Sequence, residues 1–321
     1  MKSIRYVAGV TAVLVYALIV LGAVVRTTNS GLSCPDWPTC YGHWVPLPSD
    51  LAAIPDLGYT YGQVMLEWVH RLIAGFLVGP LVLLLAVLTF RQRRREPSLA
   101  ATGGALILLL LVQGALGGIT VLDRNSPWSV AIHLGNALLV LTAILRIYAI
   151  TADWRRPRPG SGLLPAAAGA WGLALLAMMS AAVTAKSGST LACTTWPLCD
   201  GALVPDLGDG GVRIHFAHRV LAACTAIAIL GLYGLGRARP GLPPGLRRLT
   251  AIAAVLVVAQ VGLGALVILL EAPVWQAVLH QAVGVLTFLV VTLLLWHCAP
   301  GGRGTRDPLL EDADGLALRG T

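Results

Sequence analysis

With 321 residues, 56% of them hydrophobic and 12% charged, and a mean hydropathy of +0.77, the chain is far more apolar than a soluble domain allows. The lipid bilayer is therefore its expected solvent. The net charge of +8 is spread over short segments on one side of the apolar runs, which is a topology signal and excludes nucleic acid as a partner.

Apolar runs long enough to cross a hydrocarbon core of about 30 Å as helix fall at 5–25, 64–89, 99–121, 128–150, 164–184, 213–235, 249–270 and 275–297. They predict an all-α integral membrane protein with eight transmembrane helices. The first run follows Lys2 and Arg5 in the manner of a signal peptide, but it is long for one and lacks a small-x-small cleavage site, so it is expected to remain as a span. A long loop comes next, containing Cys34-Pro35-Asp36-Trp37-Pro38-Thr39-Cys40. The second run opens with Glu67-Trp68-Val69-His70-Arg71; charge and imidazole are expensive in lipid, so their presence there needs a reason. The third carries Gln113-Gly114-Ala115-Leu116-Gly117-Gly118, small residues at a spacing that lets helices approach closely. Pro127 and Trp128 begin the fourth, which holds His133.

The rest of the chain repeats this plan. Cys193-Thr194-Thr195-Trp196-Pro197-Leu198-Cys199 keeps the C-x-x-W-P-x-C pattern of the first loop, and His215-Phe216-Ala217-His218-Arg219 stands where the Glu67 stretch stood. Gln260-Val261-Gly262-Leu263-Gly264-Ala265 matches the Gln113 stretch, and Trp275 precedes His280 as Trp128 precedes His133. The offset is 148 from His70 to His218 and 147 from His133 to His280. With an even number of spans per unit, both halves enter the membrane from the same side, which predicts two tandem four-helix bundles related by a pseudo-two-fold axis along the membrane normal. The expected divisions are 1–152 and 164–298 for the two halves, 153–163 for a linker rich in Arg, Pro and Gly, and 299–321 for a disordered tail. Of the 23 Lys and Arg residues, 17 lie in segments on the N-terminal side of the spans, which predicts a multi-pass cell-membrane protein with both termini cytoplasmic.

The second, fourth, sixth and eighth spans all run from outside to inside, and each carries a histidine about six residues in, which at ~1.5 Å per residue is roughly 10 Å below the outer boundary. Equal depth is what two axial ligands of one haem require, and a four-helix bundle with facing histidines is a familiar haem cradle. His70 with His133, and His218 with His280, are the expected ligand pairs. Zinc or copper would recruit three or four ligands, whereas each half offers two matched histidines. A lone histidine in such a helix reads as a hydrogen-bonded packing residue; four at matched depth in a duplicated frame do not. His215 shares a face with His218 and is expected to line the same pocket, while His43 and His297 are expected to be solvated or interfacial.

The two halves differ at Glu67, which is His215 in the second, so only one pocket has a carboxylate one turn from its histidine. Chemistry is expected in the first half. Glu67 can also simply pair with Arg71 at i, i+4, and both roles can hold together. Cys34 with Cys40 and Cys193 with Cys199 most simply form loop disulfides on the outer face, where such bonds persist. A thiol-disulfide relay is the sharper alternative, although the six-residue spacing is not a C-x-x-C motif. The Gln113 and Gln260 stretches read as helix packing, their small residues leaving room for a flat macrocycle.

Taken together, E-x-x-H-R in the second span, histidines in the fourth, sixth and eighth, a cysteine pair in the first and third outer loops and the duplicated four-helix plan resemble the haem A synthase family, across all eight spans. The resemblance implies an oxidoreductase that converts the C8 methyl group of haem O to a formyl group through an alcohol stage. It implies that His70 and His133 flank the iron of the substrate haem, that His218 and His280 ligate the iron of a resident haem B, and that Glu67 is the catalytic glutamate. Cys34 and Cys40 match the family's first-loop pair; members differ in how many cysteine pairs they keep, and this chain has both. Haem O synthase and terminal oxidase assembly factors are the implied partners, beside the bilayer; a homo-oligomer is left open by the sequence.

If His70 and His133 both bind the substrate iron, no position stays open there for oxygen. The expected course is withdrawal of electrons from the porphyrin, a cation at the methyl carbon and attack by water, with Glu67 stabilising charge or taking a proton. Haem B would relay the electrons to an acceptor. Two other classes compete: a diheme b-type electron-transfer cytochrome, which gives no reason for the Glu67/His215 difference, and a membrane thiol-disulfide relay, which leaves the histidines unexplained.

Overall fold

The structure is a computed structural model that describes residues 1–152 and 163–299. The expected linker and tail fall, but for their edge residues, outside the described residues. Eight helices within them are long and apolar enough to cross a membrane: α1 (Lys2–Thr27), α2 (Tyr61–Phe90), α3 (Pro97–Leu122), α4 (Pro127–Thr151), α5 (Leu163–Lys186), α6 (Gly210–Arg237), α7 (Pro244–Leu269) and α8 (Val274–Cys298). Each lies within a few residues of its expected span, and no strand occurs among the described residues. The chain is a multi-pass, all-α membrane protein.

Local chemistry sets where the helices start. Thr60 closes a capping box with Gln63 at the start of α2, Ser126 accepts from the backbone N–H of Ser129 at α4, and Asp209 accepts from that of Val212 at α6. Pro97, Pro127 and Pro244 occupy the first position of α3, α4 and α7, where the missing N–H would have no partner in any case. Helix α2 is not regular: Ile73–Val78 forms a π-helical turn. Pro80 is the cause, since it lacks an N–H and its ring clashes with the carbonyl four residues back. The backbone N–H just before it, that of Gly79, bonds instead to the carbonyl of Ala74, five residues earlier. At the corresponding positions α6 has Ile227 and Ala228 and runs unbroken. A π turn inserted beside a functional group is a recurrent arrangement, and here it begins three residues after His70 in one half only.

The same neighbour pattern appears twice. In each half four helices form a ring, α1–α2–α3–α4 and α5–α6–α7–α8, and the halves meet where α4 packs on α5 and α8 and where α1 packs on α8. This pattern is compatible with the expected duplication. At the seam Trp171 of α5 donates to the Thr142 hydroxyl of α4 and stacks 6.0 Å from Phe288 of α8, and the Trp296 indole donates to the Thr142 carbonyl. Helices α4 and α8 are accordingly the most buried. Outward positions such as Leu108, Leu111, Ile227 and Val255 expose large apolar side chains, the surface that lipid contact demands.

The duplication extends into backbone geometry. The turns α3–α4 and α7–α8 each contain two consecutive left-handed residues, Arg124 and Asn125 in the first, Glu271 and Ala272 in the second. Asparagine tolerates that conformation; alanine, at φ 55°, pays a steric penalty for its Cβ. Ala272→Gly is expected to stabilise the fold by about 1 kcal/mol, read as a rise in the thermal unfolding midpoint in detergent. His297, expected at the interface, is instead buried near the end of α8, because the C-terminal turn of α8 packs into the seam.

Candidate functional site

The cysteine loops are built alike. Cys34–Cys40 and Cys193–Cys199 are disulfide-bonded, each with Cα atoms 4.8 Å apart. Both loops contain a cis Trp-Pro bond, Trp37-Pro38 and Trp196-Pro197, and both close on a two-residue bridge, Cys40 to His43 and Cys199 to Ala202. Asp36 organises the first loop by accepting from the Thr39 hydroxyl and from the Tyr41 and Gly42 backbone. Partial burial pushes its carboxyl up, but hydrogen bonds from Thr39, Gly42 and Tyr41 outweigh that and hold it below the ordinary carboxylate value.

Glu67 fastens this loop to α2. It is 5% exposed; one oxygen takes the Arg71 guanidinium at 2.6 Å, and the other takes the backbone N–H of Cys34 at 2.9 Å and the Ser33 hydroxyl at 3.1 Å. Arg71 in turn donates to the carbonyls of Asp36, Thr39 and Cys34. The i, i+4 pair anticipated from the sequence is therefore present, and it is half of a larger lock on the loop. His215 does the same work in the second half: Nδ1 accepts from the backbone N–H of Cys193 at 3.1 Å, Nε2 faces Arg219 Nε at 3.1 Å, and Arg219 reaches the carbonyls of Leu198 and Cys193. His215 is thus a loop anchor. A carboxylate accepts from both directions, whereas a neutral imidazole accepts at only one nitrogen, so the first loop is the more firmly held.

The histidines pair within each half. His70 of α2 and His133 of α4 stand on opposite helices of one ring, as do His218 of α6 and His280 of α8. Glycine on a neighbouring helix gives three of the four rings their room: an added Cβ would come 3.3 Å from the His70 ring at Gly22, 3.5 Å from His133 at Gly117 and 3.1 Å from His280 at Gly264. The small residues of α3 and α7 therefore accommodate the imidazoles themselves, and Gly118 lets the Trp37 ring of the first loop approach to 3.3 Å of where a side chain would begin.

Sequence reasoning took Gln113 and Gln260 for packing residues, and the structure corrects this. Gln113 Nε2 lies 3.2 Å and 3.3 Å from the two ring nitrogens of His133, and Asn136 donates to Gln113 Oε1 at 2.7 Å. Gln260 lies 3.4 Å from His280, but Val283 replaces the asparagine and its Oε1 is buried without a partner among the described residues. The matched twenty-residue interval from glutamine to histidine was the signal for this contact. The α2 and α6 histidines also differ, since the Ser180 hydroxyl holds His218 Nδ1 at 3.0 Å while His70 Nδ1 is buried with no partner among the described residues. Gln113→Leu is expected to leave His133 without its oriented partner and to weaken whatever that ring ligates by about tenfold, measured as haem retained per purified chain.

The donor set suits a flat macrocycle with two axial ligands. Each half supplies two partly buried imidazoles from helices across the ring, α2 with α4 and α6 with α8. Among the described residues, buried nitrogens without partners remain on His70 and His280, and glycines line three of the four rings. No three His, Cys, Asp or Glu side chains converge into a self-contained metal site among the described residues.

The family model described as "Cytochrome oxidase assembly protein" matches residues 5–292. The chain belongs to that family. Its curated relatives include heme A synthases from Symbiobacterium thermophilum, 32% identical over 95% of this chain and 98% of the relative, and from Shewanella oneidensis, 30% identical over 90% and 95%. The heme A synthase of Rhodospirillum centenum is 32% identical over 89% of this chain and 85% of its own length. In this haem A synthase family the two-histidine halves and the first cysteine loop acquire a chemical context that the fold by itself does not supply.

Proposed function

We propose that the protein is a haem A synthase of the cell membrane, with both termini cytoplasmic, that oxidises the C8 methyl group of haem O to a formyl group through a hydroxymethyl stage. The N-terminal half, residues 1–152, takes the substrate haem between His70 and His133, and the C-terminal half, 164–298, holds a resident haem B between His218 and His280. Haem B supplies one-electron transfer when bound. One observation carries the division of labour: Glu67, His70 and the π turn of α2 lie together in the first half, while the second has His215, a serine-tethered His218 and an unbroken α6.

The chain's own residues then act as follows. His70 and His133 orient the substrate so that one ring edge approaches Glu67, which stands one turn before His70. Trp37, seated on Gly118, covers the pocket from the loop side and limits the water that enters. Loss of a proton and of two electrons, the latter passed to an electron acceptor outside the chain, leaves at the methyl position a carbon that water attacks, forming a C–O bond; Glu67 accepts the proton released by the water or stabilises the developing positive charge. A second two-electron oxidation of the alcohol gives the aldehyde. The farnesyl chain of the substrate lies in lipid, and haem O synthase and oxidase assembly factors are the expected partners in handing haem on.

Expression with a haem O synthase in a host that makes no haem A, followed by extraction and mass analysis of the haems, tests this reading. Haem A or its hydroxymethyl precursor is expected. Haem B alone would make the chain a diheme electron carrier. Serine at all four loop cysteines, with haem content and activity retained, would dispose of the thiol-disulfide relay.

A further inference from the structure

Arg26 and Lys186 stand in the last turn of α1 and α5, the first helix of each half, on the disulfide-bearing side. Both are partly buried, and the charge of Arg26 is felt at Lys186. The ion pairs among the described residues are Arg71 with Glu67 and His43 with Asp50, so neither of these two cations has a carboxylate partner. Arg26 crosses the seam between the halves and donates to Gln281 Oε1 of α8 at 2.8 Å. Gln281 directly follows His280 in α8. In the first half the position of Gln281 is Leu134, so this arrangement is not a by-product of the duplication.

Two mutually repelling cations at the edge of an apolar seam are unfavourable unless something anionic joins them. Snorkelling toward lipid headgroups is the ordinary outlet for such side chains, but Arg26 points inward to α8. A guanidinium presents five N–H donors and an ammonium three; Gln281 occupies one of the eight, and the remainder suit a ligand with two carboxylates. A b-type haem carries two propionates on one edge of its ring.

We propose that Arg26 and Lys186 form a carboxylate-binding site for the propionates of the haem ligated by His218 and His280. Helix α1 of the N-terminal half thereby completes the haem site of the C-terminal half. The proposal rests on the reading that the second half holds a resident haem.

The test compares haem B with its dimethyl ester, which has the same ring and iron but no free carboxylates. The full chain, purified from cells that make no haem O, is reloaded with either, and transfer to excess apomyoglobin is followed by absorbance. The wild type is expected to release the ester about ten- to a hundredfold faster than haem B, the effect of losing charge-assisted hydrogen bonds. R26Q/K186M is expected to release both at one rate, close to that of the ester, and Arg26→Lys, which keeps the charge and perturbs the fold least, to fall between. Equal release of acid and ester by the wild type, or undiminished discrimination in R26Q/K186M, overturns the proposal. His280→Ala separates the two failures. If it keeps the wild-type low-spin absorption, the resident-haem reading fails and the carboxylate site falls with it. If it loses that absorption while R26Q/K186M still discriminates, only the carboxylate site is wrong.

Discussion

Glu67→Gln is expected to lower haem A formation by about a hundred- to ten-thousandfold, with haem O accumulating on the protein. The amide keeps the shape and can still accept from the Cys34 N–H, so the loop stays closed enough to retain substrate, but it can neither take a proton nor stabilise positive charge. Glu67→Ala is expected to lose the same chemistry and, in addition, part of the substrate binding, because three hydrogen bonds to the loop and to Arg71 disappear together. Turnover per bound haem O, measured after extraction, separates the roles. If Glu67→Gln matches the wild type in turnover per bound substrate and is deficient only in binding, Glu67 is a loop anchor like His215 and the chemistry lies elsewhere.

Arg71→Met is expected to be the most destabilising single substitution in the site, by about 3–5 kcal/mol. It would leave the buried Glu67 carboxylate without its counter-charge and the carbonyls of Cys34, Asp36 and Thr39 without a shared donor. The corresponding Arg219→Met removes two carbonyl contacts and one to an imidazole, which need not carry charge. Its expected cost is about 1–3 kcal/mol. Thermal unfolding in detergent should therefore rank Arg71→Met well below Arg219→Met, with the first cysteine loop becoming sensitive to protease in the former. Equal destabilisation would mean that the carboxylate adds nothing to the lock.

Much of this was legible in the chain itself. Eight helices could be placed because apolar runs of membrane-spanning length have few competing interpretations, and the duplication could be seen in motif spacing. The cysteine pairing and the Glu67–Arg71 pair followed from proximity in sequence. The rest was hidden because it depends on which helices touch. Ser180 holding His218 and Arg26 reaching Gln281 each join separate helices, and no local pattern announces such contacts; for Gln113 facing His133 the one signal was the repeated twenty-residue interval. The contact of His215 with the loop was hidden for a related reason: sharing a helical face with His218 says nothing of the loop that folds back through Cys193 onto its ring. The π turn had a visible cause in Pro80, yet a proline within an apolar run does not by itself say whether a helix will kink, break or widen.

The division of labour between the halves is tested most directly by the haem inventory of His70→Ala and His280→Ala, both purified from cells that make haem B and haem O. His70→Ala is expected to keep haem B and to lose haem O and haem A; His280→Ala is expected to lose haem B while still binding haem O, with little conversion. The reverse assignment, or the loss of both haems in equal measure from each variant, would contradict the account.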